Sequence, residues 1–120
     1  MKIDRTRALG AFAAYVRPYD AADPKVRLKI EHTYRVAELC ERIARSEGWG
    51  ADETLLAWLC GLLHDVGRFE QLRRYGTFDD RRSIDHARAG AEVLFEAGGI
   101  RAYLEDGCED ELLHTAVAWH

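Results

Sequence analysis

An all-α fold, a single compact helical bundle, is what this 120-residue sequence predicts. Apolar residues recur at helical spacing over most of the chain, and cap and stop signals bracket those stretches. No alternating apolar/polar run long enough for a strand occurs, so helices must supply the core.

The first helix is carried by Leu9, Phe12, Ala13 and Val16 and ends near Pro18. Lys2, Arg5 and Arg7 ahead of the apolar run Ala8 to Val16 imitate a signal peptide. Asp4 in the basic region, Arg17 and Pro18 directly after the run, and the lack of a small-residue cleavage segment exclude that reading. Asp23 before Pro24 pairs an N-cap residue with proline at the first helical position, and starts a second helix that reaches about Ser46.

On a helical wheel Arg27, Glu31, Glu38, Glu41, Arg42 and Arg45 fall on one side of that helix, and Leu28, Val36, Leu39 and Ile43 fall opposite with His32 among them. A third helix starts at Asp52, where acidic side chains suit the N-terminal end of the dipole. Leu55, Leu56, Trp58, Leu59, Leu62 and Leu63 make it apolar almost all round, as a buried central helix is. Gly67 is expected to stop it in a left-handed conformation.

Residues 68–82 hold five arginines, three acids, Phe69, Tyr75 and Phe78 without a sustained period, which suits a loop or short helix over a cleft. Ser83 is expected to cap a fourth helix to Ala97, stopped by Gly98 and Gly99, and a last helix from about Glu109 still runs at His120. Trp49, Trp58 and Trp119 read as structural residues.

Composition narrows the function classes. A chain this long buries well over half of its unfolded surface, and 48% hydrophobic with 32% charged residues is a globular composition. No apolar stretch approaches the roughly 20 residues of a membrane span. A net charge of -4 argues against a duplex-binding surface, so phosphate recognition would be local. Cys40, Cys60 and Cys108 lack the spacing of a zinc ribbon or redox pair, and reduced thiols in the cytoplasm are the simplest reading.

His64 and Asp65 end the most apolar helix, where a carboxylate needs either an arginine or a metal to offset its burial. The adjacent imidazole favours a transition metal. His86 begins its helix, with the small Ala89 and Gly90 one turn on, and His120 shares a face with Leu113, Ala116 and Val117, whereas His114 turns to the surface. With His32, four histidines thus sit inward or at a helix start, each on a different helix, and facing helices are where helical bundles build metal centres.

His32 in Glu31-His32-Thr33-Tyr34-Arg35-Val36, His64-Asp65 in Leu62-Leu63-His64-Asp65-Val66-Gly67-Arg68-Phe69, His86 in Asp85-His86-Ala87 and His120 after Ala116-Val117-Ala118-Trp119 resemble the ordered motifs of the HD-domain superfamily over about residues 25 to 120. The resemblance implies a helical, metal-dependent phosphohydrolase acting on a nucleotide or other phosphoester. It implies that His32, His64 and Asp65 hold one divalent transition metal (Fe, Mn, Ni, Co or Zn), that Asp65 bridges to a second, and that His86 and His120 complete the second position. His64 and Asp65 are the catalytic candidates, since paired ions lower the pKa of a water and clamp phosphoryl oxygens.

The family pattern continues to an aspartate downstream of the last histidine, so residues 1–120 are expected to be a single HD domain truncated at its C-terminus. Arg68 is either a phosphate contact, as a guanidinium fork suits, or an ordinary surface arginine. Lys29, one turn before His32, is a second substrate-contact candidate, the alternative being a lysine that snorkels past apolar surface. Two other functions stay open: a di-iron oxygenase, known in a few relatives on this scaffold, and a module that binds a nucleotide or phosphate without turnover. The expected partner is a small-molecule phosphoester, with neither a nucleic-acid duplex nor a membrane.

Overall fold

The computed structural model describes Ile3 to Trp119, and among these residues there is no strand. Helix α1, Arg5–Val16, is capped by Asp4, which accepts from the Arg7 N–H at 3.2 Å. Its Phe12 is fully buried and meets Tyr34 and Phe69 edge to face. Helix α2, Pro24–Ser46, starts as the Asp-Pro signal predicts, with the Asp23 carboxylate accepting from the Lys25 N–H. Helix α3, Ala51–Leu63, follows with Asp52 and Glu53 in its first turn.

Next come α4, Gly67–Tyr75, and α5, His86–Ala91, which widens into a π-helical turn at Glu92–Glu96. Single 3-10 turns lie at Asp80–Arg82 and Gly99–Ala102, and α6 spans Asp110–Ala118. Gly98 follows the π turn at φ 81°, a left-handed conformation that glycine adopts without strain, and the helix stops there as expected.

Helix α2 packs along α3, α4 against α5, and α5 against α6. Phe12, Leu59, Leu62, Leu63, Val66, Phe69, Leu94, Leu113 and Val117 form the centre of one core. Glu41 ties α1 to α2, accepting from Arg5 at 2.5 Å and Arg45 at 2.9 Å, while the Arg5 guanidinium lies over Trp58. No helix among the described residues is long and apolar enough to cross a membrane, and the three cysteines are unpaired.

Several sequence expectations are corrected. Gly67 does not stop α3 in a left-handed conformation; it opens α4, and His64 to Val66 form the turn between the two helices. A Cβ at Gly67 would collide with the carbonyl oxygen of His86 and lie 2.5 Å from the Gly90 nitrogen, so this glycine serves a backbone contact between α4 and α5. Ser83 does not cap α5; Asp85 does, through the Ala87 N–H. Helix α6 ends at Ala118 instead of running on.

The buried face of α2 is also rotated from the predicted one. Val26, Thr33, Ala37, Glu41 and Ala44 are buried, whereas Leu28 and Ile43 are 56% and 61% exposed. The reason is the small residues: a Cβ at Gly61 of α3 would sit 2.8 Å from the Ala37 Cα, so the two helices approach too closely for leucine at the contact. Ile43 and Trp49 instead line an apolar surface groove with Leu56 and Leu112. Trp58 is buried as a structural residue, but Trp49 and Trp119 are exposed.

Candidate metal centre

Three helical segments converge on one carboxylate. Helix α2 presents Lys29 and His32, nearly one turn apart on one flank. The turn after α3 presents His64 and Asp65, held by the Val66 N–H donating to Leu63 O and the Arg68 N–H to Asp65 O. Helix α5 opens at His86, which its Asp85 cap and the Gly67–Gly90 contact bring against that turn. Asp65 Oδ2 lies 3.2 Å from Lys29 Nζ, 3.4 Å from His32 Nε2 and 3.3 Å from His64 Nε2, and Asp65 Oδ1 lies 3.5 Å from His86 Nε2.

Two of these imidazoles are held from behind. His64 Nδ1 is 2.6 Å from the Gly61 carbonyl oxygen, and His86 Nδ1 is 2.8 Å from Asp80 Oδ2. Both partners are acceptors, so each Nδ1 carries a proton and each ring turns its Nε2 toward Asp65, as a lone pair in the neutral ring or as a donor in the charged one. A lone pair facing a carboxylate oxygen requires a cation or a proton between them. The ligand atoms of His32, His64 and Asp65 all lie within 4.8 Å of one another. Two imidazoles and a carboxylate, with a carbonyl behind one ring, suit a divalent transition metal.

Electrostatics agree with that donor set. Burial alone would raise the Asp65 pKa, but the hydrogen bonds and charges of His64 and Lys29 outweigh it and hold the carboxyl far below its ordinary range. Burial would lower His64, yet its hydrogen bond and attraction to Asp65 leave it raised. His32 is lowered, first by burial and then by the Lys29 charge. A second donor group, Asp80, Asp85 and His86, has similar spacing. Asp85 is exposed there and already caps α5, and Asp80 is engaged by Arg68 and Gln71.

Of the residues singled out in the sequence, His32, His64, Asp65 and His86 come together, and Lys29 reaches the same carboxylate while lying 5.4 Å from the Phe78 ring centroid. His120 lies outside the described residues. Arg68 is not an ordinary surface arginine: the side chain is largely buried, and Nη1 donates to Gln71 Oε1, Phe78 O and Asp80 Oδ1. His114 is exposed, as expected, and lies edge-on to Phe95.

Sequence reasoning missed Asp80 and Gln71. Their only signal is a pair of acids, Asp79 and Asp80, followed by His86 in an arginine-rich stretch, and their meeting depends on a chain reversal that spacing does not reveal.

Comparison with known proteins adds two findings. Residues 30–120 match the family model described as HD domain. A 49-residue stretch is 33% identical to the 3'3'-cGAMP-specific phosphodiesterase 1 of Vibrio cholerae, covering 41% of this chain and 11% of that relative. The match therefore spans a small part of the relative's length. No solved structure gives a significant match.

Proposed function

The chain belongs to the HD-domain family, and from that premise we propose that it is a metal-dependent phosphohydrolase acting on a small nucleotide or other phosphoester. The observation that carries the reading is the convergence of His32, His64 and His86 on Asp65, with the Nε2 atoms of all three rings facing a buried carboxylate. The partial likeness to a protein named as a cyclic-dinucleotide phosphodiesterase supports a phosphoester substrate.

His32, His64 and Asp65 would hold one ion, and Asp65 with His86 and His120 a second. Divalent ions such as Fe, Mn, Ni, Co or Zn supply Lewis-acid polarisation of a phosphoryl oxygen and an acidified water. The protein contributes a fixed ligand set. The Gly61 carbonyl keeps the His64 proton on Nδ1, and the surrounding charges keep Asp65 ionised. Lys29, beside Asp65 and over the Phe78 ring, places a positive charge where an anionic phosphoester would dock. Reduced thiols fit a cytoplasmic setting.

Elemental analysis of the purified protein, followed by a panel of cyclic dinucleotides, nucleotides and simple phosphoesters with each added metal, tests the proposal. Hydrolysis is expected with at least one transition metal. Outer partners of metal ligands typically matter 10–100-fold, so Asp65→Ala should cost about 100-fold or more in activity and bound metal. Bound metal without turnover of any phosphoester would leave a binding module. Oxygen consumption by the iron-loaded protein without hydrolysis would indicate an oxygenase.

A further inference from the structure

Asp80 uses its two carboxylate oxygens differently. Oδ1 accepts from Arg68 Nη1 at 3.0 Å and from Gln71 Nε2 at 2.8 Å. Oδ2 faces His86 Nδ1 at 2.8 Å. Gln71 is fully buried, and its Nε2 also donates to Ser83 Oγ and Ile84 O, while Arg68 Nη1 reaches the Phe78 carbonyl. Helix α4 thus grips the segment between α4 and α5 at several points. The Asp79 carboxylate, accepting from the Arg81 N–H, and Ser83 Oγ, donating to Asp79 O, fasten the same segment without Asp80 Oδ2.

The bond from Oδ2 therefore adds little to the closure of the segment. It addresses the His86 ring, whose other nitrogen lies 3.5 Å from Asp65 Oδ1. We propose that Asp80 is a positioning residue of the metal centre: clamped by Arg68 and Gln71, it accepts the Nδ1 proton of His86 and turns His86 Nε2 toward Asp65. The Gly61 carbonyl does the same for His64, so two rings on different elements present the same atom. Arg68 then serves the centre through Asp80, without needing to touch substrate. The inference rests on the reading of His86 as a metal ligand.

Nitrogen-15 NMR of the His86 imidazole in the metal-free protein at a pH where the ring is neutral gives a readout independent of activity. The Nδ1-protonated tautomer is expected in the unsubstituted chain and should be lost in Asp80→Ala. An Nε2-protonated ring in the unsubstituted chain, or a tautomer unchanged in Asp80→Ala, overturns the inference.

Calorimetric titration with Mn2+ supplies the second arm. Asp80→Ala should weaken binding about 10-fold or more, and should change it by less than about 2-fold when His86→Ala is already present, because coupled residues are non-additive. Equal losses in both backgrounds would mean that Asp80 acts independently of His86 and would sink the proposal. Ser83→Ala loosens the same segment but spares the Asp80–His86 bond, so tautomer and Mn2+ affinity should stay unchanged. Changes there matching those of Asp80→Ala would reduce the effect to loop closure. Should the unsubstituted chain bind no metal, the functional reading fails and with it the role of Asp80 at a metal centre, while the tautomer still decides whether Asp80 orients His86.

Discussion

Asp65 and Glu70 are carboxylates five positions apart, and both are held below their ordinary pKa for different reasons. Asp65 is buried among imidazoles and an ammonium, so its charge serves the centre. Glu70 accepts from Arg73 through two nitrogens at 2.8 and 2.7 Å, from the Tyr19 hydroxyl at 2.6 Å and from Arg74, which lower its pKa from 4.5 to about 2, the Arg73 hydrogen bond leading. A depressed carboxylate stabilises the fold above its unfolded pKa and loses that contribution as pH falls through the folded one. The loss should therefore run from about pH 4.5 down to about pH 2. Because Arg73 and Arg74 are exposed and screened, Glu70→Gln should cost on the order of 1 kcal/mol at pH 7. Urea titrations of both chains should converge near pH 2; a difference that persists there would assign the effect to packing. His32, His64, Asp65 and His86 were legible as a set, because several imidazoles with one carboxylate on successive elements are hard to explain as packing. Asp80 was not, since its neighbours come from a fold-dependent reversal.

The elements were placed by local signals and oriented by contacts that such signals do not carry. Asp23-Pro24 fixed the start of α2 because capping is chemistry between adjacent residues. The rotation of α2 does not follow from its hydrophobic pattern, because its contact with α3 uses Ala37 and Gly61, which such a pattern underweights beside Leu28 and Ile43. Gly67 misled for a similar reason: glycine after a helix commonly marks a left-handed stop, yet here it permits helix contact. Replacing Gly67 by alanine should force α4 and α5 apart. Overpacking of this kind typically costs about 1–3 kcal/mol, and with rigid backbone on the other side the upper end is expected, roughly a 10 °C fall in melting temperature. Mn2+ affinity should fall with it, as His86 moves from Asp65. A thermal melt of Gly67→Ala within about 2 °C of the unsubstituted chain would show that the contact can relax.

At the scale of the whole molecule, the all-α class and the order of its main helices followed from periodicity, while the π turn at Glu92–Glu96 and the two 3-10 turns lay below what periodicity resolves. The candidate ligands come from α2, the α3–α4 turn and α5, so an ion held there would join parts distant along the chain. A ligand that binds only the folded state stabilises it by mass action, about 2.7 kcal/mol at 100 times its dissociation constant. Adding the preferred transition metal should therefore raise the melting temperature, and a chelator should reverse the rise; a melting point indifferent to both would place the ion outside the folding equilibrium. The glycine contact between α4 and α5 bears on how such a protein can change over generations. Where backbone meets backbone, the gap between the His64-Asp65 turn and His86 does not depend on which aliphatic residues fill the core. Leucines nearby can drift to other apolar residues without retuning the chemistry. Position 67 has no neighbouring residue type to drift to, whereas position 90, where a Cβ would meet the Val117 side chain at 3.2 Å, has more freedom.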